Sequence, residues 1–153
     1  MKKIRIGIVV SEFNREITYS MLREAKNYAF KLSTKITYIV FVPGVFDMPI
    51  MAKELLKKKD VDAIVVLGAV IKGETGHDKI IANSTARILG KLSIKYSKPI
   101  SLGVTGPEMT FDQAKARILS VSQHSIKTAV SMTNRLRKIR NNKLKNKEIK
   151  VID

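Results

Sequence analysis

The chain has no cysteine. That excludes a disulfide framework, a thiolate nucleophile and any zinc site built on cysteine, and it fits an intracellular, cytoplasmic protein. Histidine is nearly as scarce: only His77 and His124 are present, far apart and outside any His-Glu-x-x-His spacing, which argues against a zinc hydrolase and leaves no metal site to nominate. There is no Gly-x-Ser-x-Gly elbow, so acyl-enzyme chemistry lacks its nucleophile. The Gly-Lys-Ser/Thr ending of a Walker loop and the Gly-x-Gly-x-x-Gly of a dinucleotide site are missing too. No apolar run approaches the roughly 20 residues that a membrane helix needs. The opening "MKKIRIGIVVSEF" has the basic start of a signal peptide, but "IGIVV" is short, Ser11 and Glu12 interrupt it, and no small-residue cleavage site follows. It reads as a first strand.

Acidic residues are also in short supply: 13 Asp and Glu face 29 Lys and Arg, for a formal net charge of +16. Such an excess raises the question of nucleic acid. The distribution qualifies it, because "RLRKIRNNKLKNKEIK" (135 to 150) holds eight Lys/Arg against one Glu and has no aromatic residue interleaved for base stacking. This segment reads as a helix end running into a solvated basic tail, with polyanion binding as a secondary property. What is present otherwise is a core: 44% hydrophobic residues in 153 suffice for one domain and are too few for two. The expected organisation is a single domain over residues 1–140 and a basic tail over 141–153.

Four β-branched apolar runs recur, at 4–10, 35–42, 62–70 and 99–104, and each precedes a stretch of helical spacing. Ile17, Met21, Leu22, Ala25, Tyr28, Ala29 and Leu32 form the first stripe, and Pro49, Ala52, Leu55 and Leu56 begin the second. Ile80, Ile81, Ser84, Ile88, Leu89, Leu92 and Ile94 form the third, and a fourth helix starts at "TFDQA", where Thr110 and Gln113 have capping-box spacing. Strand then helix, four times, implies an α/β fold: a four-stranded parallel sheet with helices on both faces, joined by right-handed crossovers. Ligands of such sheets bind beyond the carboxyl ends of the strands. That nominates "SEFNRE", "VPGVFDMP", "IKGETGHD" and "VTGPEMTF".

In the first of these loops, Phe13 is either a ring for stacking on a flat heterocycle or a staple at the helix entry. Asp47, stiffened between Pro43-Gly44 and Pro49, is the N-cap of the second helix, a carboxylate for ligand hydroxyls, or both. Thr75 and the amide of Gly76 stand at the start of the third helix, where unpaired N–H groups favour an anion. His77 follows in the first turn. The positive end of the dipole favours there the neutral ring of a group that gives and takes protons, and the competing reading is a solvent-facing turn histidine. His124 lies mid-helix among serines and reads as structural or surface. Arg117 is a cation early in the last helix, a place the macrodipole disfavours unless an anion compensates it.

Taken together, "IGIVVSEFNREIT", "VPGVFDMP", "VLGAVIKGETGHDKI" and "LGVTGPEMTFDQAKAR" resemble, in order and spacing, the corresponding segments of the lumazine synthase family, and Gly-Pro-Glu-Met-Thr resembles its archaeal members. The match runs to about residue 135. The resemblance implies a flavodoxin-like, three-layer α/β/α sandwich. It also implies condensation of 5-amino-6-(D-ribitylamino)uracil with 3,4-dihydroxy-2-butanone 4-phosphate in riboflavin biosynthesis, without metal or organic cofactor. By the same resemblance Phe13 stacks on the pyrimidine; Val45, Phe46 and Asp47 line the ribityl and ring site; Ala69, Val70 and Ile71 offer backbone groups to the pyrimidine edge. Glu74 and Thr75 then meet the phosphate-bearing substrate, and His77 falls on the proton-transfer histidine. Leu102 and Arg117 fall on positions that a neighbouring subunit contributes, the arginine binding phosphate, so a homo-oligomer with sites between subunits is implied, either a pentamer or a sixty-subunit icosahedral shell. The chain departs from many members in having no glycine in "RILSVSQHSIKTAV", and no functional residue falls on the tail.

Two rivals make different expectations. An archaeal-type riboflavin synthase shares the fold and the "VPG" loop but would turn lumazine alone into riboflavin. A basic nucleic-acid-binding α/β module would bind RNA with steep salt dependence and lose that binding with the residues after 135.

Overall fold

A computed structural model describes residues 2–142 and 149–153 of the chain. Its strands are β1 (Arg5–Ser11), β2 (Lys35–Val42), β3 (Ala63–Ile71) and β4 (Ile100–Met109). The helices are α1 (Arg15–Lys31), α2 (Met48–Leu56), α3 (His77–Tyr96), α4 (Phe111–Ala116) and α5 (Ile118–Asn141), with a 3-10 turn at Val45–Asp47 before α2. The sheet is entirely parallel in the order β2-β1-β3-β4. It is the flavodoxin-like α/β arrangement expected from the alternation of strand and helix.

Two apolar layers clamp the sheet. Ile6, Ile8 and Val10 of β1 and Val65 and Leu67 of β3 meet Ile17, Met21 and Ala25 of α1 and Ile126 and Ala129 of α5. On the other face Val9, Ile64 and Val66 meet Met48, Ala52 and Leu56 of α2 and Ala82 and Leu89 of α3. Both faces of β3 are therefore covered, which is why "AIVVLGAVI" is apolar without alternation. Each fully buried Val, Leu, Ile or Met among these contributes about 1.5–3 kcal/mol.

The strands expected at 4–10, 35–42 and 62–70 are found within one residue, but the fourth is longer than the apolar run. β4 continues through "TGPEM", which had read as a loop, because β3 also continues and gives it a partner: Ile71 registers with Met109, and the Lys72 amide donates to the Met109 carbonyl at 2.9 Å. The ladder shifts register between Ala69 and Ile71, where Gly106 has φ 102° and lies so close to Val70 that a Cβ would stand 2.2 Å from its carbonyl oxygen. Only glycine fits there.

The expected last helix is two. The capping box is present, with the Gln113 amide donating to Thr110 Oγ1 (3.2 Å) and the Thr110 amide to Gln113 Oε1 (2.9 Å). The chain then turns at Arg117 (φ −97°, ψ 0°) before α5 begins. The stripe on α3 is also divided. Ile81, Leu89 and Leu92 pack inward beside Ala82, whereas Ile80, Ile88 and Ile94 face outward, since small Ala82 and Thr85 seat the helix on the sheet.

Candidate functional site

The carboxyl ends of β1 and β3, the turn before α2 and the start of α3 surround a cavity of about 530 Å³. That is within the usual range for a small-molecule site. Its aromatic members are Phe13, 73% exposed, and Phe46, 59% exposed. Phe13 is too exposed to be a helix-entry staple. Its backbone is fixed instead, by the amide donating to the Pro43 carbonyl at 3.0 Å, so the ring stands free at the cavity wall. Val45 is buried beneath the opposite wall. Gly68 makes this possible, because a Cβ there would come within 2.6 Å of Val45 Cγ2, so the glycine lets the 3-10 turn settle onto β3.

Asp47 stands at the N-cap position of α2, as one reading expected, but makes no side-chain cap there and lines the cavity. Its Oδ2 accepts from the Gly44 amide at 2.9 Å, which closes the tight turn, and the carboxylate is exposed. Ala69, Val70 and Ile71 form the floor along the end of β3. One of their backbone acceptors is already engaged: Asn14, held in the left-handed region at φ 57°, donates from Nδ2 to the Ala69 carbonyl at 2.9 Å. Asn14 was not singled out in the sequence, where only its place beside Phe13 marked it.

Across the cavity Gly73 and Thr75 lead into α3, whose N-cap Gly76 has no side-chain cap. The first residue of the helix is His77, exposed and lining the cavity. It is followed by Asp78, only 5% exposed, which the sequence reading also passed over. The Asp78 carboxylate accepts from the Glu108 amide of β4 at 2.9 Å. This bond, together with the amides at the start of α3, holds its carboxyl below the usual carboxylate range against the opposing effect of burial. Beside it Lys79 pairs with Glu108 at 2.7 Å, raising the lysine and lowering the glutamate. The histidine thus rides on a helix end clasped to β4 by two contacts.

Three expected residues lie elsewhere in the chain. Glu74 is exposed in the same loop but outside the cavity lining. Leu102, half exposed on β4, lines a separate hollow of about 180 Å³ with Ala82, Ala86 and Val104, sharing only Val45 with the main cavity. Arg117 is exposed at the α4–α5 turn, its Nη1 donating to the Gln113 carbonyl at 2.9 Å. It closes the short α4, where a cation is favoured, and also stands at the N-cap of the longer α5, where the macrodipole opposes it. His124 is on the surface of α5, its Nε2 3.3 Å from Thr128 Oγ1. Among the described residues no group of three or more His, Asp or Glu is placed to hold a metal, and no helix is long and apolar enough to cross a membrane.

An open parallel α/β sandwich, with an aromatic-walled cavity beyond its strand ends and a histidine at the head of the adjoining helix, defines a small-molecule enzyme domain of the flavodoxin-like class. The family can be given as well: the chain belongs to the 6,7-dimethyl-8-ribityllumazine synthase family, whose sequence model matches residues 3–137. Relatives named 6,7-dimethyl-8-ribityllumazine synthase bear this out. The one from Sulfolobus acidocaldarius is 49% identical over 138 residues, 90% of this chain and 87% of its own. Those from Metallosphaera sedula and Methanocaldococcus jannaschii are 46% and 45% identical, each over 134 residues, 88% of this chain and 89% and 94% of theirs.

Proposed function

We propose that the protein is a lumazine synthase, condensing 5-amino-6-(D-ribitylamino)uracil with 3,4-dihydroxy-2-butanone 4-phosphate to 6,7-dimethyl-8-ribityllumazine, phosphate and water, in riboflavin biosynthesis. The observation that carries the reading is the convergence of Phe13, Phe46, Asp47 and His77 on one cavity at the strand ends, within a chain of this family. The pyrimidine stacks on Phe13, the ribityl hydroxyls meet Asp47 beside Val45 and Phe46, and the ends of Ala69, Val70 and Ile71 face the ring edge. Asn14 already uses one lone pair of the Ala69 carbonyl, so that acceptor is aimed as well as offered.

The 5-amino group attacks the ketone, water leaves to give an imine, phosphate is eliminated, and ring closure expels a second water. The reaction has no net oxidation or reduction and requires no protein nucleophile, so neither a redox cofactor nor a covalent intermediate is called for. Each step moves protons, and His77 at the cavity lip is the group to move them. Much of the rate comes from holding the two reactants face to face. Glu74 and Thr75 meet the phosphate-bearing substrate at the uncapped start of α3.

Leu102 and Arg117 complete the site from a neighbouring subunit, as their position outside the protomer's own cavity favours. The working enzyme is accordingly a homo-oligomer, a pentamer or a shell of sixty subunits, in the cytoplasm, with residues 1–140 as the catalytic unit and 141–153 as an appended basic tail. The direct test mixes both substrates with the protein and follows lumazine absorbance and fluorescence with phosphate release. Stoichiometric phosphate and lumazine are expected. Riboflavin formed from lumazine alone would establish the rival synthase instead.

A further inference from the structure

The parallel sheet puts all four strand starts at one end of the molecule, opposite the cavity, and the positive charge gathers there. Hydrogen bonds tie that end together. Arg137 Nη1 donates to the Lys2 carbonyl (2.9 Å), Arg5 Nη2 to that of Lys59 (2.8 Å), and Arg140 Nη2 to that of Ser97 (2.6 Å). Lys98 Nζ joins the carbonyls of Leu56 and Lys58 (2.7 Å each). The start of the chain, the α2–β3 and α3–β4 connections and the end of α5 therefore form one continuous face.

Among the described residues, the carboxylates of this face are already engaged. Asp62 is held by Arg5 (2.9 Å) and Arg137 (3.2 Å), Glu54 by Lys57 (2.7 Å), and Asp153 by Lys138 (3.0 Å), while Asp60 accepts from the Tyr38 hydroxyl. Around them Lys35, Lys58, Lys59, Lys95 and Arg135 are exposed and have no carboxylate partner among the described residues. The described part of α5 ends on the same face, at Asn141. At the cavity end, by contrast, Glu12, Asp47, Glu74, Glu108 and Asp112 are interspersed with the cations.

We infer that the face at the strand starts binds the phosphodiester backbone of nucleic acid without regard to sequence. The cations are mostly lysines, point charges suited to phosphate contact, and they come from separate connections across the whole end rather than from one groove, which suits an extended polyanion more than a folded acidic partner. A second copy of the chain would bring the same sign of charge to this face. Tyr38 and Tyr96 lie beside Lys58 and Lys95, each ring centre 6.0 Å from the ammonium, but both are half-buried and the Tyr38 hydroxyl is bound to Asp60, so contact is chiefly electrostatic and strongly salt-dependent.

The test uses the full chain and a fluorescently labelled 30-nucleotide RNA, with DNA of the same sequence and vesicles of phosphatidylglycerol as separate arms, over about 50 to 300 mM salt. Binding to RNA and DNA with a log–log salt slope of about −3 to −5 is expected, from roughly five phosphate contacts. The variant Lys58→Gln/Lys59→Gln/Lys95→Gln should weaken it at least about 10-fold and flatten the slope by about 2, with lumazine formation unchanged. Lys72→Gln, at the cavity end, should leave binding alone. Absence of binding at low salt, equal loss with Lys72→Gln, preference for vesicles, or complete loss on removing 143–153 while the triple variant still binds normally would each overturn the inference.

Discussion

His77 and Arg117 occupy opposite situations, and their variants should fail in different ways. His77 lines the cavity, and on its proposed proton-transfer role His77→Ala should lower kcat by about 10- to 1,000-fold, the scale of lost general acid–base assistance. Residual turnover is expected because proximity survives the change. Unchanged kcat would remove His77 from the mechanism. On the proposed role of Arg117, Arg117→Ala removes a charge-assisted phosphate contact made in ground and transition states alike, so it should chiefly raise the KM for the butanone phosphate. A rise confined to the pyrimidine KM would show that the arginine serves the other substrate. The sequence marks Phe13, Phe46, Asp47 and His77 because each falls between the end of a strand and the first turn of the helix that follows. Asn14 and Asp78 were not. Their roles depend on what the chain brings near them, the Ala69 carbonyl in one case and the Glu108 amide in the other, and no local pattern announces either.

At the scale of elements, the strands and most helices followed from periodicity, and the failures mark long-range pairing. "GPEM" reads as a loop because the apolar run ends at Val104, yet β3 extends far enough to pair it into β4. That extension carries Glu108 over the start of α3, where Asp78 and Lys79 hold it. Because the Glu108 amide keeps the Asp78 carboxyl below its ordinary range, the clasp stabilises the fold above the unfolded carboxylate pKa of about 3.9, and the contribution is lost as pH falls through the lower folded value. Asp78→Asn should therefore have a lower Tm than the parent at pH 7, and the gap should narrow as pH drops below about 4. A gap independent of pH would mean that the carboxylate's charge contributes nothing to the clasp. The same variant tests positioning: if the clasp aims His77, kcat falls with KM for either substrate little changed.

The whole molecule is where the sequence was least explicit, because an assembly is a property of surfaces and the single chain displays only half of each contact. Leu102 and Arg117 stand outside the cavity that holds Phe13 and His77, which is the arrangement that a site shared between subunits requires. Sharing can be tested without knowing the size of the oligomer. Unfolding His77→Ala and Arg117→Ala chains together and refolding them as a mixture creates sites whose histidine and arginine come from different subunits. With equal amounts and random assembly about a quarter of the sites receive both native residues. At a butanone phosphate concentration near the parent's KM, the mixture should then exceed the mean of the separately refolded variants and approach about a quarter of parental activity. If each protomer supplies its own arginine, no mixed assembly restores a complete site, and the activity stays at that mean.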